Sequence, residues 1–223
     1  MTAPDLSIYR TVHLALRGGA DLLADVAATI QPGNHPRVAA LRRYWDGYTA
    51  EVHAHHTVED DVFFPALVAR VPFAAEVIRQ TDADHQALAA IGQRCDRAVS
   101  ALVQGQRTED LATCFAELAE LMRRHLDLED DDVLPLFERH FTAAEYAPLD
   151  DEAKKRIRIS EALFTVPFVA HFASDEVRAH LLGGAPVPFR VIHRLMRGRH
   201  ARLVEVLAAP AGTRADRAAG AVA

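Results

Sequence analysis

Two blocks of the sequence repeat the same chemically reactive side chains at the same spacing. Residues 55–65 read HHTVEDDVFFP and residues 125–135 read HLDLEDDDVLP. Each block holds a His-x-x-x-Glu pair, then two aspartates, and a proline six residues after the glutamate. The pairs are His55 with Glu59 and His125 with Glu129, which gives an offset of 70 residues between the blocks.

An isolated histidine precedes each block, His13 before the first and His85 before the second. Residues four apart on a helix share one face, so the imidazole and carboxylate of each pair reach the same small volume. Imidazole binds iron, copper, zinc and nickel, and a carboxylate can bridge two cations. Four imidazoles and two carboxylates exceed the needs of one tetrahedral zinc and suit two metal ions that share the carboxylates. The predicted ligands are His13, His55, Glu59, His85, His125 and Glu129.

The elements that must position these side chains are helices, because apolar residues recur every three or four positions and strict alternation is absent. Pro36 suits a first helical turn, Pro65 predicts either a kink or the start of the last turn of its helix, and Gly105 predicts a helix end. Thr108 is a candidate cap for the fourth helix. Short connections favour antiparallel neighbours, so residues 1–140 are predicted to form an all-α, antiparallel up-down four-helix bundle. The predicted helices span residues 6–30, 36–70, 73–104 and 108–140.

Beyond residue 140 the pattern changes to shorter helices. Thr142 and Glu145 have the spacing of a capping box, which predicts a helix start there. Several prolines and a Gly-Gly pair interrupt the rest, so residues 141–207 are predicted to be a helical appendage. Residues 208–223 lack periodicity and are predicted to be a disordered tail.

The order of ligands resembles the hemerythrin-like, or HHE, cation-binding domain family. In that order a histidine on one helix is followed by a His-x-x-x-Glu pair on the next, and the arrangement occurs twice over about residues 5–140. The run from His55 to Pro65 is similar to that of actinobacterial-type members. The resemblance implies two iron ions with oxo or hydroxo and carboxylate bridges. Ferritin-like di-iron proteins place Glu before His, so the ferritin-like alternative is disfavoured.

One departure from the family concerns the third helix. Oxygen-carrying hemerythrins have a second histidine there, four residues after the first, and this chain has Ala89. The difference argues against simple oxygen carriage and favours turnover or binding of an oxidant. His56 is either a further ligand that fills the gap or a hydrogen-bonding neighbour of the ligands. Tyr9, one turn before His13, is interpreted as a core residue, and the alternatives are a hydrogen-bonding partner of a bound oxidant and a further metal ligand.

Ligand histidines usually donate their second ring N–H to a carboxylate. The aspartates that follow each bridging glutamate are candidates for this role. Asp132, seven residues after His125 on a regular helix, faces the same way and is the preferred one. Glu51, one turn before His55, is a similar candidate. The remaining candidates are Asp60, Asp61, Asp130 and Asp131.

Composition limits the class of protein. The 223 residues carry a formal net charge of −6, so no nucleic-acid partner is expected. Two distant cysteines indicate no disulfide framework, and neither a signal peptide nor a membrane span is expected, which together predict a cytoplasmic protein. The expected partners are a small diatomic or peroxide ligand and an unidentified electron donor. An enzymatic, peroxide- or nitric-oxide-consuming activity stays open, as do a regulatory binding module and a purely structural zinc or manganese site.

Overall fold

The computed structural model describes residues 2–106 and 108–209, and within them every regular element is helical. The all-α prediction is confirmed. Two helices are interrupted by π-helical segments, Glu59–Phe63 and Glu129–Val133, and Pro72–Ala74 forms a short 3-10 turn. The α-helices are α1 (Ser7–Thr29), α2 (His35–Val58), α3 (Phe64–Arg70), α4 (Ala75–Val103), α5 (Asp110–Leu128), α6 (Leu134–His140), α7 (Ala143–Lys155), α8 (Ile159–Phe172), α9 (Asp175–Gly184) and α10 (Val187–Ala208).

The helical core is built by four long helices in mutual contact. Helix α1 packs against α2 and α5, and α4 packs against the same two neighbours. Their apolar stripes meet in one buried cluster that includes Leu16, Leu41, Trp45 and Phe115. A second buried cluster, around Phe63 and the short helices α3 and α6, closes the opposite end. The polar residues of the two repeated blocks lie between these apolar clusters.

Helix α8 is part of the first cluster. Phe168 is fully buried there, against the rings of Tyr44 and Tyr48. The approach is close because α1 and α2 carry glycines opposite the aromatic side chains. A Cβ on Gly47 would lie 2.3 Å from the ring of Phe164, and α1 has two further glycines in the same situation. Helix α10 packs on the outer side of α8 and on α2.

The helix ends agree with the sequence except at one cap. Gly105 has a φ of +81° and, with Gln106, bonds back to the last turn of α4, which is a Schellman ending. The Thr142–Glu145 capping box is present. The predicted cap at Thr108 is wrong, because α5 begins at Asp110 without a side-chain cap and the Thr108 hydroxyl has no partner. The helix starts two residues late, beyond the reach of that hydroxyl.

The division of the chain at residue 140 stays a prediction. Helix α10 extends to Ala208, and the remaining part of the predicted tail, residues 210–223, lies outside the described residues. No helix in the described ranges is long and apolar enough to cross a bilayer.

Candidate metal centre

Both repeated blocks contain a π-helical turn that begins at the glutamate. In the first, the Phe64 N–H donates to the Glu59 carbonyl, five residues back, and in the second the Leu134 N–H does so to Glu129. The proline that ends each block has no N–H to continue the regular pattern of hydrogen bonds. Each π turn inserts one extra residue, so every side chain beyond the glutamate rotates by about 100° relative to a regular helix. The π turn ends just before Pro65, where the sequence predicted a kink or the start of the last turn, and a further α-helix begins at Phe64.

The structure brings all the predicted ligands into one buried volume, in two groups. His13 and His55 gather with the two glutamates, and their ligand atoms all lie within 4.8 Å of one another. The second group unites His56, His85 and His125 within the same limit. The rings of His56 and His85 stack with centroids 3.8 Å apart. His56 therefore lies among the predicted ligands, beside His85 and His125, while its role as a ligand stays a prediction.

The two carboxylates lie between the imidazole groups. Glu59 Oε1 is 3.0 Å from His55 Nε2, and its Oε2 is 3.5 Å from His85 Nε2. Glu129 mirrors this, with Oε2 at 3.3 Å from His13 Nε2 and Oε1 at 3.6 Å from His125 Nε2. Each glutamate thus presents one oxygen to each group, the arrangement a bridging carboxylate needs.

The donor atoms of this site are buried and have no hydrogen-bond partner in the protein. Buried polar groups are normally satisfied, so a cluster of unpartnered lone pairs indicates a ligand that the protein itself does not supply. Imidazole nitrogens and carboxylate oxygens that converge in this way fit a pair of transition-metal ions. The atoms are Nε2 of His13, His55, His56, His85 and His125, together with Glu59 Oε2 and both carboxylate oxygens of Glu129.

Electrostatics in the site follow from burial and crowding. Burial and the neighbouring Glu59 raise the pKa of Glu129 well above its usual value. Glu59 is equally buried, but the adjacent His55 holds the pKa of this carboxyl well below normal. Burial lowers the pKa of His56, and that of His125 to about 3, so both imidazoles are neutral and keep a free lone pair. Two buried carboxylates this close need cations as neighbours to ionise together.

Aspartates that follow the glutamates orient histidines of the opposite repeat. His13 Nδ1 donates to Asp130 Oδ1 at 2.9 Å, and His85 Nδ1 donates to Asp60 Oδ1 at 3.0 Å. These bonds direct each Nε2 lone pair towards the carboxylates. The preference for Asp132 is wrong: its side chain is exposed, because the π turn rotates it away from the face that His125 occupies.

Two further residues next to the centre make hydrogen bonds that the sequence did not predict. Tyr9 is buried, as expected for a core residue, but its hydroxyl also donates to Glu59 Oε1 at 2.5 Å. Glu51 accepts a hydrogen bond from Thr165 of α8. It was a candidate acceptor for a ligand histidine, and its hydrogen bond goes instead to the C-terminal helices. Sequence spacing gives no signal for a contact across 114 residues.

Replacing Asp130 with Asn should weaken metal binding by about 10- to 100-fold, because Asn cannot hold the His13 ring as a charged acceptor does. Asp130 has one-fifth of its side chain exposed and is also bound by Arg17 at 2.7 Å, whereas Asp60 is 44% exposed. The Asp60→Asn effect should therefore be smaller. Competition titration with a chromophoric chelator measures both. Asp132→Asn is the matched control, and an effect as large as that of Asp130→Asn would contradict this geometry.

The fold and the site together define a class, an all-helical protein with a histidine- and carboxylate-rich candidate metal centre in its core. A family model described as the hemerythrin HHE cation binding domain matches residues 5–137. The match spans more than half of the chain, so the chain belongs to that family, and the resemblance inferred from the sequence is confirmed. The family and the His/Glu groups fit metal binding. Comparisons with curated proteins and with solved structures find no match.

Proposed function

We propose that the chain is a non-haem di-iron protein that binds and reduces, or senses, a small oxidant such as O2, NO or a peroxide. The observation that carries this proposal is the position of Glu59 and Glu129, each with one oxygen towards each imidazole group. In this proposal both glutamates bridge two iron ions. His13 and His55 hold one ion, and His56, His85 and His125 hold the other.

The unequal number of histidines suggests where the oxidant binds. The group with His56 has three imidazoles and the group with His13 has two. In this arrangement His56, from α2, supplies the imidazole that is missing at position 89, where the chain has alanine. The position held by only two imidazoles keeps more room for a small ligand. Tyr9 lies on that side, with its ring centroid 4.9 Å from that of His13.

A pair of iron ions, when bound, supplies two exchangeable electrons and a coordination position for the oxidant. The chain itself supplies a dry, rigid enclosure. Phe63 and Phe64 wall the site at one end, and the ring of Phe64 stacks on His85. The Tyr9 hydroxyl, whose pKa burial and Glu59 raise well above normal, keeps its proton and holds it at Glu59 Oε1. A proton is thereby held next to the carboxylate.

The proposed helix arrangement is an antiparallel up-down four-helix bundle, formed by α1, by α2 with α3, by α4, and by α5 with α6. The contacts of α1 and α4 with both α2 and α5 support it. Short connections between successive helices also favour antiparallel neighbours.

The test is anaerobic iron loading of the full chain, followed by metal analysis and stopped-flow mixing with O2, NO and hydrogen peroxide. We expect two iron ions per chain and a spectral change with at least one oxidant. The His56→Ala variant should retain fewer ions, because it removes one of the three imidazoles in its group. The exposed His53 gives the matched control, His53→Ala.

Fewer than two metals per chain in the unaltered protein would contradict the di-iron assignment. Two metal ions without any spectral response to the three oxidants would instead support the structural role, in which zinc or manganese occupies the site. Iron analysis and oxidant mixing on one sample separate these outcomes.

A second candidate function, a regulatory module, is favoured by the contact between α8 and the centre. Thr165 of α8 binds Glu51, one turn from His55, and α8 also fits the glycines of α1 and α2. Occupancy of the centre would then influence the position of the C-terminal helices. The Phe168 variant described in the Discussion tests this link.

A further inference from the structure

The two cysteines of the chain lie together in the core, apart from the candidate metal centre. Cys95 is on α4 and Cys114 is on α5, neither has any exposed surface, and both are free thiols. Cys95 follows His85 by ten residues, which places it about 15 Å further along α4. The metal centre makes no use of this pair.

The register of α4 against α5 places the two thiols opposite each other. The rings of His85 and His125 meet at 4.8 Å, and Arg94, further along α4, pairs with residues that precede His125 on α5, so the two helices run in opposite directions. Arg94 then reaches Asp110 at 2.9 Å and Glu117 at 2.5 Å. These acidic residues lie four before and three after Cys114. Arg94 therefore spans the turn that carries Cys114, and the next residue, Cys95, faces it inside the core.

The thiols are in direct contact and differ in acidity. Cys95 hydrogen bonds to Cys114, whose own thiol donates to the Leu111 carbonyl at 3.3 Å. The bond from Cys95 lowers the pKa of Cys114, and the same bond together with burial raises the pKa of Cys95. The thiolate is the reactive form, and Cys114, which accepts the hydrogen bond from Cys95, is assigned as the nucleophile of the pair with Cys95 as its partner.

We propose that Cys95 and Cys114 are a redox site that forms an intramolecular disulfide when the chain meets a hydroperoxide. The Cys114 thiolate attacks the peroxide and becomes a sulfenic acid as the O–O bond breaks, and the leaving oxygen takes up a proton to form water or an alcohol. The Cys95 sulfur then attacks the Cys114 sulfur, the S–S bond forms as the S–O bond breaks, and the sulfenic oxygen leaves as water with the Cys95 proton. Two thiols lose two electrons and two protons, and the peroxide gains them.

This inference does not rest on the proposed function, because no metal takes part in it. Its consequence is structural. The new bond would join α4 to α5 beside their connection and would restrict the unfolded chain. The oxidised protein should therefore melt about 5 °C higher than the reduced one, measured with iron removed from both by a chelator.

The experiment treats the full chain, after chelation, with one and two equivalents of hydrogen peroxide. After quenching with catalase, the chain is denatured and labelled with N-ethylmaleimide for intact mass. We expect a product about 2 Da lighter that takes no label. Trypsin should then release residues 95–97 joined to residues 108–123, and a reductant should separate them.

Two variants keep the proposal falsifiable. Cys95→Ser should leave Cys114 as a sulfenic acid that dimedone traps, whereas Cys114→Ser should slow oxidation of the remaining thiol by about tenfold or more. Full labelling of both thiols after peroxide would overturn the proposal. So would a disulfide between two chains, or oxidation of both sulfurs to acids without a link.

Discussion

Replacing Glu59 with Gln is expected to lower metal affinity by at least about 100-fold, more than the loss of a hydrogen-bonding neighbour. Glu59 is the acceptor shared by both imidazole groups, with His55 at one oxygen and His85 at the other. An amide presents one oxygen and one N–H, and it carries no charge to balance two cations. The bridge and half of the carboxylate charge are therefore lost together.

The same substitution should not weaken the chain itself. Glu59 and Glu129 are both buried, and Glu59 contributes to the raised pKa of Glu129. Removing one charge relieves that repulsion but also removes the carboxylate that His55 stabilises, so the free energy of unfolding, measured with a chelator present, should change far less than the metal affinity. A general loss of folding would lower both quantities together, so a large loss of metal affinity with little change in stability identifies a functional carboxylate.

Metal analysis and chelator competition measure the first quantity, and urea unfolding with a chelator measures the second. Glu120→Gln on α5 is the matched control, because its side chain is 59% exposed and lies outside the site. A Glu59→Gln chain that still binds two metals with unaltered affinity would refute the bridging role. Glu129→Gln should behave in the same way as Glu59→Gln.

Replacing Phe168 with Ala is expected to destabilise the chain by about 3–5 kcal/mol. The ring is fully buried against Tyr44, Tyr48 and the side chain of His200. Deleting it leaves a cavity between α8 and the long helices, which cannot collapse without shifting several aromatic neighbours. Because the ring belongs to the main apolar cluster, the loss of stability should shift the unfolding transition of the whole chain.

Urea or guanidinium unfolding measures the effect, and Phe73→Ala is the matched control. Phe73 is 70% exposed, so its removal should change the free energy of unfolding by no more than about 0.5 kcal/mol. A Phe168→Ala cost below about 1 kcal/mol would mean that α8 is a separable attachment. Iron loading of the folded variant adds the test of the regulatory candidate: unaltered iron affinity and oxidant response would remove its support.

The helices and their chemistry were predictable from local sequence. Helix periodicity, the first-turn position of Pro36 and the helix end at Gly105 depend on short stretches of chain, and the helix boundaries agree within a few residues. The candidate ligands followed from one repeat, since His55–Glu59 and His125–Glu129 each occupy one helix face. The family match supports the interpretation of the repeat as a metal-binding motif. Ligation of metal by these residues stays a prediction for the experiments above.

The error at Asp132 and the unspecific prediction at Pro65 have a common physical origin. Asp132 was preferred because a regular helix brings it back to the face of His125, and one inserted residue in the π turn cancels that return. The proline at the end of each block indicates an interrupted helix, but its missing N–H is equally compatible with a kink. Local pattern alone could not distinguish a kink from a π turn, so the rotation of the side chains beyond the glutamate could not be predicted.

The sequence by itself determined the all-helical fold, the family and the set of side chains that meet in the core, because these depend on spacing along single helices. Only the tertiary structure decided the crossed bonds of His13 with Asp130 and of His85 with Asp60. It also decided the division of the histidines into groups of two and three and the burial of Phe168 against Tyr44 and Tyr48. These features depend on how helices distant in the chain rotate and pack, which short-range periodicity does not encode.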